Sequence, residues 1–344
     1  MTDRQRSEAA RSAVDAAVGA AGLPAGEVTR CEPLSGGTYN ALFRVSLRDG
    51  REWVVKVPPP ESRPGLGYER DLLRGEVAFY TAVGAVDGVP VPEVLRYACD
   101  PTAATGAFLI MSALPGAPWH ERDGELAPEE RAGLRRELGG LVARTHTVTG
   151  PGFGYPALPL GPLAGTWREA FAAMMAGLLD DAERYGARLP RSPAVIRALT
   201  AEVSGVLDEV TVPVAVHFDL WQGNVLLDGP AGARTVSGIV DGERMFWGDP
   251  LADFVSLALL GDIEEDTDFL AGYAAAGGRA EFDAPARLRL ALYRCYLYLI
   301  MLVEVVPRDY PDGRREWAWR HVAPQLEAAL RHLEAAAGAG ANRP

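Results

Sequence analysis

The sequence predicts an α+β protein with two lobes, a small β-rich lobe first and a larger, mainly helical lobe after it. Its 344 residues, of which 48% are hydrophobic, can bury a substantial core and should divide into about two domains or lobes. Apolar and polar residues alternate between residues 28 and 57, a pattern typical of strands. After residue 116 the apolar spacing becomes that of long helices. We therefore expect the lobes to join at about residue 112.

The first lobe is predicted to hold a helix, a run of antiparallel strands, a second helix and two more short strands. In order, these elements span residues 4–22, 28–57, 66–83, 91–95 and 107–111. Gly-Gly and Asp-Gly pairs within the strand run mark tight turns between its strands.

The second lobe is predicted to be helical on both sides of one β-rich stretch at 212–241. Its helices are expected at 126–148, 165–188, 191–209, 250–262, 265–276, 283–306 and 314–337. The most apolar stretch, 288–306, is interrupted by Arg294 and Glu304, so it predicts a buried helix rather than a membrane span.

Charge and cysteine content exclude several classes of protein. The 34 Lys and Arg against 46 Asp and Glu give a net charge of -12, the opposite of what nucleic-acid binding requires. The cysteines Cys31, Cys99 and Cys295 are odd in number and far apart, which indicates neither disulfides nor a zinc site. The N-terminus lacks the apolar core of a signal peptide. We expect a cytoplasmic protein, a monomer or homodimer, that binds neither nucleic acid nor membrane.

The most informative segment places polar residues at fixed offsets between two predicted strands. His217, Asp219 and Asn224 form the pattern His-x-Asp-x-x-x-x-Asn, and Asp241 follows the next apolar strand. Phosphoryl transfer needs one carboxylate to orient the acceptor and a pair of oxygen ligands for Mg²⁺. The pattern resembles the catalytic and metal-binding loops of the kinase fold, and phosphoryl transfer is the chemistry that this resemblance implies.

This pattern, with Asp241-Gly-Glu243 and Gly-Asp249-Pro-x-x-Asp253 downstream, resembles the aminoglycoside phosphotransferase/choline kinase superfamily. The run Asp-Leu-Trp-x-Gly-Asn is similar to the fructosamine-kinase branch of that superfamily. The resemblance covers about residues 30–260, with the motifs in the family order. It implies a bilobal protein-kinase-like fold, with a nucleotide-binding lobe at 1–111, a hinge at 112–116 and a catalytic and substrate-binding lobe at 117–344.

The resemblance also implies roles in the catalytic loop. Asp219 would orient the acceptor hydroxyl and accept its proton, while His217 would hydrogen-bond within the loop. Asn224 and Asp241 would bind Mg²⁺. Phe218 replaces the glycine that is commonest there in the family, and we expect its bulk beside the base to narrow the substrate site.

Asp249 and Asp253 complete the downstream motif, and Glu243 lies between Asp241 and these two acids in the sequence. We expect Glu243 to lie near the metal or the substrate. Asp249 and Asp253 are expected to cap the helix that follows them.

The first lobe carries the nucleotide motifs of the family. Ser35, Gly36, Gly37 and Thr38 would close over the phosphates of ATP, although a plain Gly-Gly hairpin turn is the alternative. Lys56, in an apolar strand, would contact the phosphates.

Glu76 is the favoured partner of Lys56, and Glu69 is its competitor. The main chain of the hinge at Ser112 and Leu114 would bind the adenine edge. Because side chains there do not determine the base, GTP stays an alternative to ATP.

The identity of the acceptor is the most open part of the prediction. The acidic stretch containing Asp262, Glu264 and Glu265 is a candidate receptor for a cationic sugar, or simply a solvated loop. We expect a kinase that phosphorylates a hydroxyl of an aminoglycoside-like or other sugar-containing antibiotic. The alternatives are a metabolic amino-sugar, ketosamine or amino-alcohol kinase and a nucleotide-binding pseudokinase adaptor. The adaptor is disfavoured by the joint presence of Lys56, Asp219, Asn224 and Asp241.

Overall fold

The structure, a computed structural model, describes residues 12, 14–22, 25–34, 40–59, 64–102 and 106–341. The predicted phosphate-binding residues Ser35, Gly36, Gly37 and Thr38 lie outside these described residues. The strands are β1 (Val28–Pro33), β2 (Ala41–Leu47), β3 (Glu52–Val57), β4 (Val94–Ala98), β5 (Phe108–Ser112), β6 (Ala117–Pro118), β7 (Val214–Val216), β8 (Val225–Asp228), β9 (Thr235–Ile239) and β10 (Phe246–Gly248). The helices are α1 (14–20), α2 (Leu72–Val83), α3 (Trp119–Arg122), α4 (Pro128–Thr145), α5 (Trp167–Tyr185), α6 (Pro193–Glu202), α7 (Asp253–Leu257), α8 (Thr267–Ala275), α9 (Ala284–Val303), α10 (Asp312–His321) and α11 (Ala323–Ala341).

The first lobe is built on an antiparallel sheet with strand order β1-β2-β3-β5-β4. Side chains that alternate along β2 and β3, such as Val45 and Val55, are buried on one face, where they form a core with Val14 and Val18 of α1. Lys56, the neighbour of Val55, belongs to the opposite face. The alternation therefore separates a packed outer face from the face that carries the lysine.

Helix α2 begins six residues later than the sequence pattern predicts. Asp71, just before it, has a φ of 59°, a left-handed conformation that no regular helix can contain. The helix packs closely on the turn after β9, where a Cβ on Gly75 would lie 3.0 Å from the Glu243 carbonyl oxygen. This close approach brings Glu76 next to the end of β9.

Two small antiparallel units bring the polar loops of the second lobe together. β7 pairs with β10, and β8 pairs with β6 and β9. The loop 217–224 joins β7 to β8, and the turn 240–245 joins β9 to β10. The Val240 N–H donates to the Asn224 carbonyl oxygen at 2.9 Å, which ties this loop and turn together.

Around these strands lie the helices, and three of the predicted helical spans differ from the structure. The predicted helix 191–209 is α-helical only to Glu202, and a short 3₁₀ segment follows it. The predicted helix 314–337 is divided into α10 and α11 at Val322, because Pro324 has no N–H to continue the hydrogen-bond ladder of α10 but is tolerated in the first turn of a new helix. The predicted helix 250–262 is short, since α7 ends at Leu257 and Leu260 has a φ of 61°.

Helix α9 is buried along most of its length, as its apolar sequence predicts. Within the ranges that the structure describes, no helix is both long and apolar enough to cross a membrane. The antiparallel sheet followed by a helical region confirms the predicted α+β class.

Helices α4 and α8 cross with very little space between their backbones. A Cβ on Gly139 of α4 would overlap the Phe269 carbonyl oxygen of α8, and one on Gly272 of α8 would overlap the Arg136 carbonyl oxygen. This crossing matters for the rest of the molecule because α4 ends next to His146, which contacts Asp253 at the base of the loop 217–224.

We predict that Gly139→Ala lowers the free energy of unfolding by about 1–3 kcal/mol, the usual effect of overpacking. Gly133→Ala is the matched control, since Gly133 is an exposed residue of the same helix with open space at its Cβ position. That substitution should raise the free energy of unfolding by up to about 1 kcal/mol through helix propensity. Urea unfolding measures both. Equal midpoints for Gly139→Ala and the wild type would contradict the close crossing.

Candidate active site

The loop 217–224 is held from below by the start of α7. The Asp253 carboxylate accepts hydrogen bonds from the backbone N–H of His217 at 3.2 Å and of Phe218 at 2.7 Å. The Ser256 hydroxyl accepts the Leu220 N–H at 3.0 Å. Asp253 was expected to cap the following helix, but its side chain fixes the catalytic loop instead. Such charge-assisted bonds to a fully buried carboxylate make the loop conformation rigid.

Phe218 does not narrow the site, contrary to the expectation from its bulk. Its φ is 62°, a left-handed conformation that costs a residue with a side chain about 1 kcal/mol or more. This turn directs the ring into the core, where its centroid lies 5.0 Å from that of Phe246 and 5.7 Å from that of Tyr296. Burial of a whole phenyl ring offsets the backbone strain.

His217 uses both ring nitrogens within the protein. Its Nδ1 accepts the backbone N–H of Asp219 at 3.2 Å, so the proton is on Nε2, which donates to the Val240 carbonyl oxygen at 3.0 Å. Its ring also meets Phe79 edge to face, with 4.9 Å between centroids. With both nitrogens occupied, His217 links the two loops and has no position left for proton transfer.

Asp219 lines a cleft of about 320 Å³ together with Lys56, Asn224 and Asp241. Burial raises the pKa of Asp219 above its ordinary value, although the Arg244 guanidinium, with Nε 3.8 Å from Oδ2, acts to lower that pKa. The carboxylate is thus a stronger base than an exposed aspartate while a neighbouring cation helps to keep it ionised.

Lys56 lies at the centre of three carboxylates. Its Nζ is 2.6 Å from Glu76 Oε2 and 2.7 Å from both Asp241 Oδ1 and Glu243 Oε2. Glu243 Oε2 also accepts the Asn40 amide N–H at 2.7 Å. Lys56 is the only lysine in the chain, and all other basic residues in the Lys and Arg total are arginines. A compact ammonium can meet three separate acids, whereas a planar guanidinium suits bidentate pairs.

Burial and the close ion pairs shift the pKa values of this cluster in opposite directions. Burial acts to lower the pKa of Lys56, but its three acidic neighbours hold that pKa well above the ordinary value. Burial likewise acts to raise the pKa of Asp241, yet Lys56 brings it below its usual value. Burial raises the pKa of Glu243 to about 7. Lys56 and Asp241 are therefore charged at neutral pH.

Tyr80 of α2 connects the members of this cluster. Its hydroxyl donates to Glu76 Oε1 and accepts the backbone N–H of Asp241, both at 2.8 Å. Asp241 has a φ of 63°, and this hydrogen bond helps to hold that left-handed conformation. Helix α2 therefore positions both the partner of Lys56 and the acid after β9.

Asn224 and Asp241 fit the chemistry of a Mg²⁺ site. The Asn224 amide donates to the Asp219 carbonyl oxygen at 2.8 Å, and its own oxygen accepts no hydrogen bond from the described residues. Asp241 uses Oδ1 for Lys56 and leaves Oδ2 without a donor in that same part of the chain. One amide and one carboxylate oxygen suit a hard cation that keeps several waters. The acids Glu76, Asp241 and Glu243 also have the spacing of a metal site, but the Lys56 ammonium is their counter-ion.

The other predicted site residues lie elsewhere. Ser112 ends β5, and the Leu114 N–H donates to no residue in the described ranges, but neither residue lines the cleft. Of the acidic stretch, Asp262 pairs with Arg294 at 3.0 Å and Glu264 with Arg287 at 2.7 Å.

Glu265 lines a second, more open groove with Asp262, and this groove shares Trp221, Ser256 and Leu259 with the first cleft. The acidic stretch is therefore partly neutralised and stands apart from Asp219.

A chain of alternating charges beside Asp219 was missed by the sequence reasoning. Arg244 donates to Glu304 Oε2 at 3.0 Å, and Arg308 lies 3.2 Å from the same oxygen. Arg308 also contacts Glu69, which is why Glu69 is not the partner of Lys56. The one available signal was Glu304, an acid within an otherwise apolar helical segment.

We predict that Lys56→Met lowers the free energy of unfolding by about 3–5 kcal/mol, because it leaves buried carboxylates without their counter-ion. Adding Glu243→Gln should recover part of this loss, since one negative charge is then removed while Asn40 keeps an acceptor. Lys56→Arg is the matched control that retains the charge, and it should lose less. Urea unfolding at pH 8 compares the variants. A Lys56→Met protein as stable as the wild type would contradict the ion cluster.

Comparison with known proteins agrees with this geometry. Residues 30–292 match the profile of the family described as "Phosphotransferase enzyme family". A probable ketoamine kinase of Lactiplantibacillus plantarum is 24% identical over 74% of this chain and 82% of its own length. Viomycin phosphotransferase of Streptomyces vinaceus is 28% identical over 54% of this chain, and the match spans 62% of that protein, less than two thirds.

Solved structures show the same fold. A protein assigned as a fructosamine-3-kinase from Thermobifida fusca superposes with a TM-score of 0.65 at 22% identity, covering 88% of this chain and 94% of its own. An aminoglycoside phosphotransferase in complex with ADP and hygromycin B gives 0.59 at 19% identity, covering 89% and 95%. The family profile confirms the predicted superfamily, and the solved structures confirm the kinase-like fold. The chain belongs to the phosphotransferase enzyme family, and it is a small-molecule phosphotransferase.

Proposed function

We propose that this phosphotransferase transfers the γ-phosphoryl group of ATP, in the presence of Mg²⁺, to a hydroxyl group of a small molecule. The observation that carries the proposal is the meeting of Lys56, Asp219, Asn224 and Asp241 in one cleft. The same set argues against a pseudokinase adaptor. A structural relative bound to ADP supports ATP as the nucleotide. The lobe at residues 1–111 and the hinge at 112–116 are part of the proposal.

Each of these four residues has a role in the proposed reaction. Asp219 orients the acceptor hydroxyl and takes its proton as the oxygen forms a bond to the γ-phosphorus and the bond to ADP breaks. Lys56 contacts the phosphates, with Glu76 and Tyr80 holding it in place. Asn224 and Asp241 hold the metal ion, which neutralises phosphate charge when bound.

The acceptor proposed here is a ketosamine or a similar sugar derivative rather than a polycationic aminoglycoside. Carboxylates already paired with arginines are weaker receptors for a polycation, and Asp262 and Glu264 are so paired. This leaves Glu265 as the one of these three acids without an ion pair among the described residues. The similarity to a ketoamine kinase over 82% of that protein supports the same choice. An ATP-dependent mass-shift screen of ketosamines, aminoglycosides and amino alcohols distinguishes these acceptors. A lack of phosphorylation of every compound in the screen would contradict the proposal.

We predict that Asp219→Asn lowers kcat by about 10²- to 10⁴-fold, the usual contribution of a general base, with little change in ATP affinity. The matched control is Asp262→Asn, which removes an acid of the groove beyond Trp221 and should leave kcat within about 2-fold, as expected away from the chemistry. Steady-state kinetics with nucleotide titration measures both. A large loss of kcat in Asp262→Asn would indicate that the acidic stretch belongs to the acceptor site.

We also predict that Arg244→Gln moves the acid limb of the pH profile of kcat/KM to higher pH. The carboxylate of Asp219 must be ionised to accept a proton, and burial already raises its pKa. Removing the guanidinium that lowers this pKa raises it further, so activity is lost earlier as the pH falls.

Arg244→Lys keeps the positive charge and should shift the limb less. Profiles are compared at saturating Mg²⁺. A limb that moves to lower pH in Arg244→Gln would contradict the assignment.

A further inference from the structure

The acceptor side of the cleft combines an apolar wall with several arginines. Leu259, Leu297 and Met301 line it, with Tyr310 and Trp317 beside them. Trp317 is 45% exposed and belongs to the lining of the cleft, so part of its ring is accessible to a ligand there. The wall therefore suits an acceptor with an apolar or aromatic body.

The charged groups on this side are mostly neutralised by each other. Glu304 lies between Arg244, at 3.0 Å, and Arg308, at 3.2 Å. Arg308 makes a second ion pair with Glu69. An ammonium group of a substrate would have to compete with two guanidinium groups for Glu304, so this acid is a poor receptor for a cation.

Arg314 differs from the other arginines of the cleft. It forms no ion pair with any residue in the described ranges, whereas Arg244 and Arg308 each contact a carboxylate. Its guanidinium lies over the Tyr310 ring, 4.0 Å from the centroid. The Tyr310 hydroxyl in turn accepts a hydrogen bond from Arg308 at 3.2 Å. A cation–π contact on a ring that is itself fixed holds Arg314 at the cleft with its N–H groups still available.

We propose that the acceptor carries a carboxylate that binds Arg314, in addition to the hydroxyl that faces Asp219 and the body that packs on Trp317. This inference rests on the proposed function and names its acceptor class as a hydroxylated monocarboxylate. One unpaired guanidinium matches one negative charge and forms bidentate hydrogen bonds to a carboxylate. A dianionic phosphate would bring a second negative charge, and the other arginines that line the cleft, Arg244 and Arg308, are already paired with carboxylates.

The size of the cleft sets a further limit on this acceptor. At about 320 Å³, shared with the groups that face the nucleotide, the cleft is at the small end of ligand sites. A sugar joined to one amino acid is of the right scale, and it presents hydroxyls, a carboxylate and a side chain together.

The test compares two probes that share the sugar and the side chain and differ at the carboxyl group, N-(1-deoxyfructosyl)-L-phenylalanine and its amide. Isothermal titration calorimetry gives the affinity of each for the wild type, Arg314→Gln and the control Arg320→Gln, an exposed arginine of the same helix that pairs with Glu316. Since Arg314 is exposed, the wild type should bind the acid about 2- to 5-fold more tightly than the amide, as an ion pair at an exposed arginine provides. Arg314→Gln should abolish this preference, and Arg320→Gln should keep it.

Several results would overturn the proposal. These are equal affinity for acid and amide in the wild type, a preference that survives Arg314→Gln, and the absence of binding by the acid. ATP-dependent phosphorylation, followed by mass shift, separates this inference from the proposed function. Selective binding of the acid without phosphorylation supports the carboxylate site and contradicts the proposed function. Equal binding and equal phosphorylation of both probes would contradict the carboxylate site and support the proposed function.

Discussion

The buried ion cluster around Lys56 is the interaction on which the geometry of the site depends. It joins β3 of the first sheet, helix α2 and the turn after β9, which are far apart in the sequence. A buried charge without partners is strongly destabilising. Each segment therefore stabilises the others by supplying a counter-ion for their buried charges. The cluster thus sets the position of Asp241 relative to Lys56.

A second support comes from the aromatic core beneath the catalytic loop. Phe218 turns into this core while Asp253 accepts the backbone N–H groups above it. The two effects act together, because the left-handed turn at Phe218 buries the ring and at the same time presents its N–H to the carboxylate. The loop is therefore rigid for reasons of packing and of hydrogen bonding, and Asp219 is directed into the cleft without help from a ligand.

The fold class, the order of the motifs and the pairing of Lys56 with Glu76 could be read from the sequence, since each depends on local spacing or on a helix face. The chain from Arg244 to Glu69 could not, because its members are up to 239 positions apart and meet only through tertiary packing. The acidic stretch after residue 261 was a candidate receptor for a cationic sugar because its ion pairs also form only through tertiary packing. Its arginine partners, such as Arg287 and Arg294, come from a different helix.

The single lysine has a consequence for chemical labelling. An acylating reagent that reacts with primary amines has one side chain to modify in this chain, apart from the N-terminal amino group. Only an unprotonated amine is nucleophilic, and the neighbouring acids keep the pKa of Lys56 well above its ordinary value. Acylation must then wait until the ammonium leaves its carboxylates. The rate of labelling therefore reports how often the buried cluster opens.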